Sequence, residues 1–235
     1  MGYGDSGHEY VLMSKENRWI FVPIWKNATK SIFYSFAKQH STYVSENKHA
    51  ITFFFNDDTK DPKMYHKESR DYIDNINSFY SFTCIRNPID RFFSAFFHKV
   101  VLHPEGPEAK VFLDKYMAHS DEPFIKLDKF TAHLLNDKEI DAHFLTQTLI
   151  GDFNKISYNK ILTIENLTND WTNLQSECPG LPRLIESKLH KTESAKFHFE
   201  MSKQKGYDRI ITRINKFYQD DIELFNKNSL HQIGL

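Results

Sequence analysis

Residues 18–36 constrain the fold more tightly than any other stretch. Ile20 to Ile24 is a short continuous apolar run, the pattern of a buried strand. Trp25 to Lys30 is polar and carries two lysines. Ser31 is placed to cap a helix, and Ile32, Phe33, Phe36 and Ala37 recur at helical spacing. Strand, tight loop and helix in that order aim backbone N–H groups and a helix N-terminus at one point, which suits an anion. Lys26, at the loop entry, adds a point charge fitted to phosphate or sulfate. The common phosphate loop needs two glycines and ends in Lys-Ser or Lys-Thr. Here there is no glycine and Lys26 comes first. From this stretch alone, an ordinary strand-to-helix turn with solvated lysines is the competing reading.

The same grammar recurs downstream. Ser78 to Ile85 reads as a second buried strand, ending at Arg86-Asn87-Pro88. Ile89, Phe92, Phe93, Phe96, Phe97, Val100 and Val101 then fall on one helical face, and Pro88 suits a first helical turn. Arg91, Ser94 and His98 lie on a different face. Lys160 to Glu165 reads as a third buried strand. Repeated strand–turn–helix units predict an α/β fold with a central parallel sheet flanked by helices. Ligands of such sheets bind at the strands' carboxyl edge. An elongated dianion would be held at one end by Lys26 and its loop, and at the other by Arg86 and the Ser94 hydroxyl.

The rest of the chain is less specific. At 235 residues it is expected to be one domain over 1–235, with a helical insertion near 103–142 broken by prolines. Residues 1–17 read as a loop or edge strand, Ile51 to Phe55 as a short strand, and Met64 to Asn75 as polar with a short helix. Glu108 to Met117 and Phe124 to Leu135 are expected helices, and Arg209 to Phe225 an amphipathic closing helix. A net charge of −1 gives no reason to expect nucleic acid. Two cysteines make no disulfide framework. No metal-ligand cluster is visible. No run approaches the roughly 18 apolar residues of a membrane span. Gly2 and Ser6 match only the loose myristoylation pattern.

These residues resemble the sulfotransferases that use 3′-phosphoadenosine 5′-phosphosulfate (PAPS), in particular carbohydrate sulfotransferases of the heparan 2-O and HNK-1 type. Trp25-Lys-Asn-Ala-Thr-Lys-Ser31 is similar to their Pro-Lys-Thr-Ala-Ser-Thr-Ser. Ile85-Arg-Asn-Pro88, then Asp90-Arg91, then Ser94-Ala95 is similar to their Val-Arg-Asp-Pro, Glu-Arg and Ser-Ala, at the same eight-residue gap from Arg86 to Ser94. His143 with Gln147 resembles their His-Trp-x-Pro-Gln. Ile164 to Leu167 and Tyr218 to Phe225 also match. The chain departs at Asn87, where the family has Asp, at Lys30, where the position is small or Thr, and at Thr146, where it has proline.

The resemblance implies a P-loop-like three-layer sandwich and in-line sulfuryl transfer from PAPS to an acceptor hydroxyl, with PAP as product and a glycan as acceptor. The loop N–H groups of Asn27, Ala28, Thr29, Lys30 and Ser31 would hold the 5′-phosphosulfate. Lys26 would neutralise charge on the bridging oxygen. Arg86 and Ser94 would take the 3′-phosphate. His66, between the two cofactor motifs, is the expected general base. His143 is the rival, and His98 and Glu165 are weaker candidates. With no leader or anchor in the sequence, a cytoplasmic enzyme is expected. The competing readings are a PAP-binding protein of the same fold without catalysis, and a nucleotide kinase of the phosphate-loop class.

Overall fold

The computed structural model describes residues 10–40, 61–103, 122–135, 141–185 and 191–230. The expected strand at Ile51 to Phe55, the helix at Glu108 to Met117 and the Gly2/Ser6 pattern lie outside them. The chain forms two compact units. One comprises Met1–Arg86, Gln147–Ser187 and Asn228–Leu235; the other comprises Asn87–Thr146 and Lys188–Lys227.

The first unit is built on a five-stranded sheet of order β3-β1-β2-β4-β5. Its strands are β1 (Tyr10–Ser14), β2 (Trp19–Val22), β3 (Lys63–His66), β4 (Tyr80–Ile85) and β5 (Lys160–Thr163). The three strands expected from their apolar runs, β2, β4 and β5, lie parallel. β1 runs antiparallel to β2 and to β3, which makes the sheet mixed. The N-terminal segment therefore forms an inner strand. Part of the polar segment after residue 62 forms the edge strand β3, and the short helix α2 (Arg70–Asn75) comes next.

Strand alternation sorts the core into two faces. Leu12, Trp19, Phe21, Phe82, Cys84 and Leu162 share one cluster. It includes Ile32, Phe36 and Ala37 of α1 (Thr29–His40) and Leu167, Trp171 and Leu174 of α6 (Leu167–Glu177). The intervening Val11, Met13, Ile20 and Val22 form the opposite cluster, with Tyr72 of α2 and Ile156. All four residues of β2 are buried, because both sheet faces are covered there, and that is why its sequence reads as an unbroken apolar run. Between β4 and β5 the chain contributes the one-turn helix α5 (Gln147–Ile150). β5 ends at Thr163, so Glu165 stands in the 3-10 turn beyond it, exposed.

The second unit is helical. It contains α3 (Pro88–Phe96), α4 (Pro123–Leu134), α7 (Lys191–Ser202), α8 (Tyr207–Phe217) and most of α9 (Gln219–Leu230). The turn after α3, Phe97–Leu102, is π-helical. The apolar face read from the sequence is the packed one: Phe92, Phe93, Phe96 and Val100 are buried, with Ile89, Phe97 and Val101 against them. Arg91 is buried too, and its guanidinium donates to Leu145 O at 2.8 Å. The single closing helix expected over Arg209 to Phe225 is two helices. Tyr218 leaves helical geometry (φ −102°, ψ 27°) and donates its buried hydroxyl to Phe144 O at 2.6 Å. Asp220 and Asp221 then begin α9, where acidic side chains favour a helix start.

Candidate functional site

The loop between β2 and α1 reaches its shape without glycine. Lys26 (φ 69°) and Ala28 (φ 57°) both adopt the left-handed conformation. That costs an L-residue about 1–2 kcal/mol. Alternation of this kind turns successive N–H groups toward one side, as in an anion-binding nest. The helix begins at Thr29, three residues earlier than a Ser31 cap requires. Ala28 precedes the helix and has no side-chain oxygen to cap it. The first N–H groups of α1 therefore have neither an intrahelical acceptor nor a cap from that residue.

The loop is locked from beneath. Asn27 N donates to Ile24 O at 3.2 Å and Thr29 Oγ1 to the same carbonyl at 2.9 Å. Asn27 N, expected from the sequence to hold the ligand, is thus engaged within the loop. Asn27 is fully buried. Its Nδ2 donates to Cys84 O at 2.9 Å and to Gln147 Oε1 at 2.6 Å. Burial, with the charges of Glu165 and Asp170 adding, pushes the Cys84 thiol up, so this cysteine stays a neutral core residue. Thr83 Oγ1 donates to Val22 O at 2.7 Å and ties the carboxyl ends of β2 and β4.

Arg86 comes directly after β4 at the same carboxyl edge and is half-buried. Gln147 holds its backbone on both sides, accepting from Arg86 N at 2.9 Å and donating to Arg86 O at 2.9 Å. Lys26 is half-buried and Lys30 exposed.

His66 closes β3. It pairs with Tyr10, and Leu12 pairs with both Phe21 and Met64. His66 therefore stands at the carboxyl edge of the sheet, level with Pro23 at the mouth of the loop. Its Nδ1 accepts from Glu68 N at 3.1 Å. In the neutral ring the proton then resides on Nε2, which makes that nitrogen a donor.

The remaining candidates belong to the helical unit. Asn87 caps α3, accepting from Ile89 N at 3.0 Å and Asp90 N at 3.3 Å, with Pro88 at the first helical position. Aspartate would make the same bonds, so this departure from the family pattern is conservative. Ser94 is half-buried on α3. His143 is buried, and Asp141 Oδ1 accepts from its backbone N at 2.8 Å and meets its Nδ1 at 2.8 Å. Burial raises the Asp141 carboxyl. The hydrogen bonds and charge of His143, with the charge of Lys99, outweigh that and bring it down to about 2. The carboxylate fixes a proton on Nδ1, so in the neutral ring the lone pair is on Nε2, the tautomer a general base needs.

Residues 10–228 match the model described as "Sulfotransferase family". The chain belongs to the sulfotransferase family. Sulfuryl transfer is therefore its chemical class. Searches of curated proteins and of solved structures return no match. No helix among the described residues is long and apolar enough to cross a membrane. The residue that sequence reasoning left out of the site is Gln147. Its one signal was its place at the end of the His143…Gln147 motif.

Proposed function

We propose that this sulfotransferase moves the sulfuryl group of PAPS to a hydroxyl of a glycan. The observation that carries the donor assignment is the pair of left-handed residues, Lys26 and Ala28, at the start of α1, where Ala28 has no side-chain oxygen to act as a cap. That geometry gathers N–H donors and one ammonium for an anion, with no acidic side chain in the first turn of α1 to oppose it. The N–H groups of Ala28, Thr29, Lys30 and Ser31 hold the 5′-phosphosulfate. Asn27 contributes by fixing the loop. The Lys26 ammonium neutralises charge on the oxygen that leaves with the nucleotide. Lys30, exposed at the helix start, adds to the local positive field. Arg86 and Ser94 are assigned to the 3′-phosphate on their family spacing, and a glycan acceptor on the resemblance to the heparan 2-O and HNK-1 type.

The tautomers divide the two histidines. His143, oriented by Asp141, has the lone pair that accepts the acceptor's proton. His66, whose neutral ring carries its proton on Nε2, serves as a hydrogen-bond donor to a sulfuryl or acceptor oxygen. His143→Gln would then remove the acidic limb of the pH–rate profile, whereas His66→Gln would lower the rate and leave the limb in place. The reverse result returns the base to His66.

The primary test is transfer of labelled sulfate from PAPS to a glycan panel. Lys26→Ala should cost about 100- to 1,000-fold. PAP at 100 times its Kd should stabilise the wild type by about 2.7 kcal/mol. Absence of PAP binding sinks the proposal. PAP binding without transfer to any acceptor selects the non-catalytic alternative.

A further inference from the structure

We infer that Gln147 is the positioning residue of the donor site. Its carboxamide sets the spacing between the loop at Lys26–Ser31 and the backbone of Arg86, without touching the donor itself. The inference rests on the PAPS reading above and deepens it.

Gln147 is fully buried and every polar atom of its side chain is engaged. Its pairing with both the N–H and the carbonyl of Arg86 imitates a strand rung just past the end of β4. The same Oε1 receives Asn27 Nδ2, and Asn27 lies between the two left-handed residues. One side chain thus joins the two stretches assigned to opposite ends of the nucleotide. The carboxamide cannot be turned over. Reversal would aim Nε2 at the Arg86 and Asn27 N–H donors and Oε1 at the Arg86 carbonyl. Asn27 is likewise fixed, since both its acceptors, Cys84 O and Gln147 Oε1, face Nδ2.

The helix carrying Gln147 is anchored at its far end as well. α5 is a single turn, too short to hold itself. Lys67 Nζ donates to its last carbonyl, Ile150 O, at 2.6 Å and pairs with Asp152 at 2.8 Å. Gly151 N donates to Gln147 O at 2.8 Å. A Cβ on Gly151 would meet the Phe153 ring at 2.5 Å and Gln147 O at 3.0 Å, so the tight return needs glycine. Lys67 is the next residue after His66. The polar edge of β3 is in this way coupled through α5 to the loop.

The test uses the full chain, PAP titration by calorimetry and sulfate transfer from PAPS. Gln147→Met keeps the volume and loses all three hydrogen bonds. We expect PAP affinity to fall by at least about 10-fold and kcat by about 100-fold, the scale of an ångström-sized misplacement. Asp170→Asn is the structural control. Asp170 secures the β5–α6 junction by accepting from Thr163 N at 2.9 Å and Asn166 Nδ2 at 2.8 Å. It should lose stability yet keep PAP affinity within about twofold, because the loop and Arg86 keep their clamp.

Gln147→Glu supplies a readout that does not depend on Gln147→Met folding. A buried carboxyl has a raised pKa. Protonated at about pH 5.5, it again offers one donor and one acceptor, whereas at about pH 8 the carboxylate faces Arg86 O. Its PAP deficit relative to wild type should shrink on acidification. Wild-type affinity in Gln147→Met, or a pH-independent deficit in Gln147→Glu, overturns the positioning role while the donor site stands. Failure of the wild type itself to bind PAP overturns both.

Discussion

Replacing Ala28 tests the loop geometry without changing its charge. At φ 57° the Ala28 methyl crowds the backbone. Relief of that crowding in Ala28→Gly is worth about 1–2 kcal/mol. Against it stand the extra entropy that glycine loses on folding, about 0.5–1 kcal/mol, and a half-buried methyl that packs on the sheet cluster, about 0.4 kcal/mol. The balance lies between about zero and 1 kcal/mol in favour of glycine. Ala28→Val pushes the other way, because a β-branched residue is strongly disfavoured in this region, and it should destabilise by about 1–3 kcal/mol. Urea unfolding without ligand measures both, and a separation of about 1–4 kcal/mol is expected. Ala28→Gly should also bind PAP a few-fold more weakly, since a freer loop must be ordered on binding. Glycine and valine variants of equal stability would refute the left-handed assignment. So would a glycine variant destabilised by well over about 1 kcal/mol.

Three particular contacts give further expected outcomes. Asn87→Asp should leave stability unchanged, while Asn87→Ala should cost about 1 kcal/mol in urea unfolding, because only the alanine removes the cap on α3. The Asp141 carboxyl is held at about 2 against an ordinary 3.8. Its folded value is the lower one, so its contribution of about 2 kcal/mol is present above pH 4 and lost as pH falls toward 2. The stability gap between wild type and Asp141→Asn should therefore close over that window. Phe92, 1% exposed and stacked near Phe96 and Phe130, should cost about 3–5 kcal/mol when changed to Ala.

The parallel strands were legible because burial on both faces leaves an unbroken apolar run, as in Ile20 to Ile24 and Ser78 to Ile85. β3 was not, because Lys63–His66 is a half-polar edge of four residues whose pairing with β1 depends on a strand more than 50 residues away at its far end, Tyr10↔His66. The break at Tyr218 lay hidden under a continuous apolar periodicity, although Asp220 and Asp221 carried the mark of a new helix start. At the site, the places of Lys26 and Arg86 past the carboxyl ends of β2 and β4 could be read but the backbone could not. Left-handed geometry is usually announced by glycine, and neither Lys26 nor Ala28 announces it. Gln147 was hidden for a different reason. Its partners Asn27 and Arg86 lie 120 and 61 residues away in sequence, and nothing local distinguishes a glutamine that clamps a loop from one that faces solvent.

The glycine-free loop explains why that clamp is needed. Two left-handed L-residues store about 2–4 kcal/mol of strain within three positions. A loop with glycines in those places has no such strain and needs no support. Strain of this kind persists only where neighbouring structure over-determines the conformation. Here the support is visible: Thr29 Oγ1 and Asn27 N on Ile24 O, and Asn27 Nδ2 on Cys84 O and Gln147 Oε1. Buried bonds of this type contribute about 0.5–1.5 kcal/mol each, enough together to offset the strain. The consequence is a loop that is rigid before the donor arrives. A glycine loop must be ordered when an anion binds, whereas this one is ordered when the chain folds; under the proposed function, that binding energy would be available to the departing oxygen at Lys26.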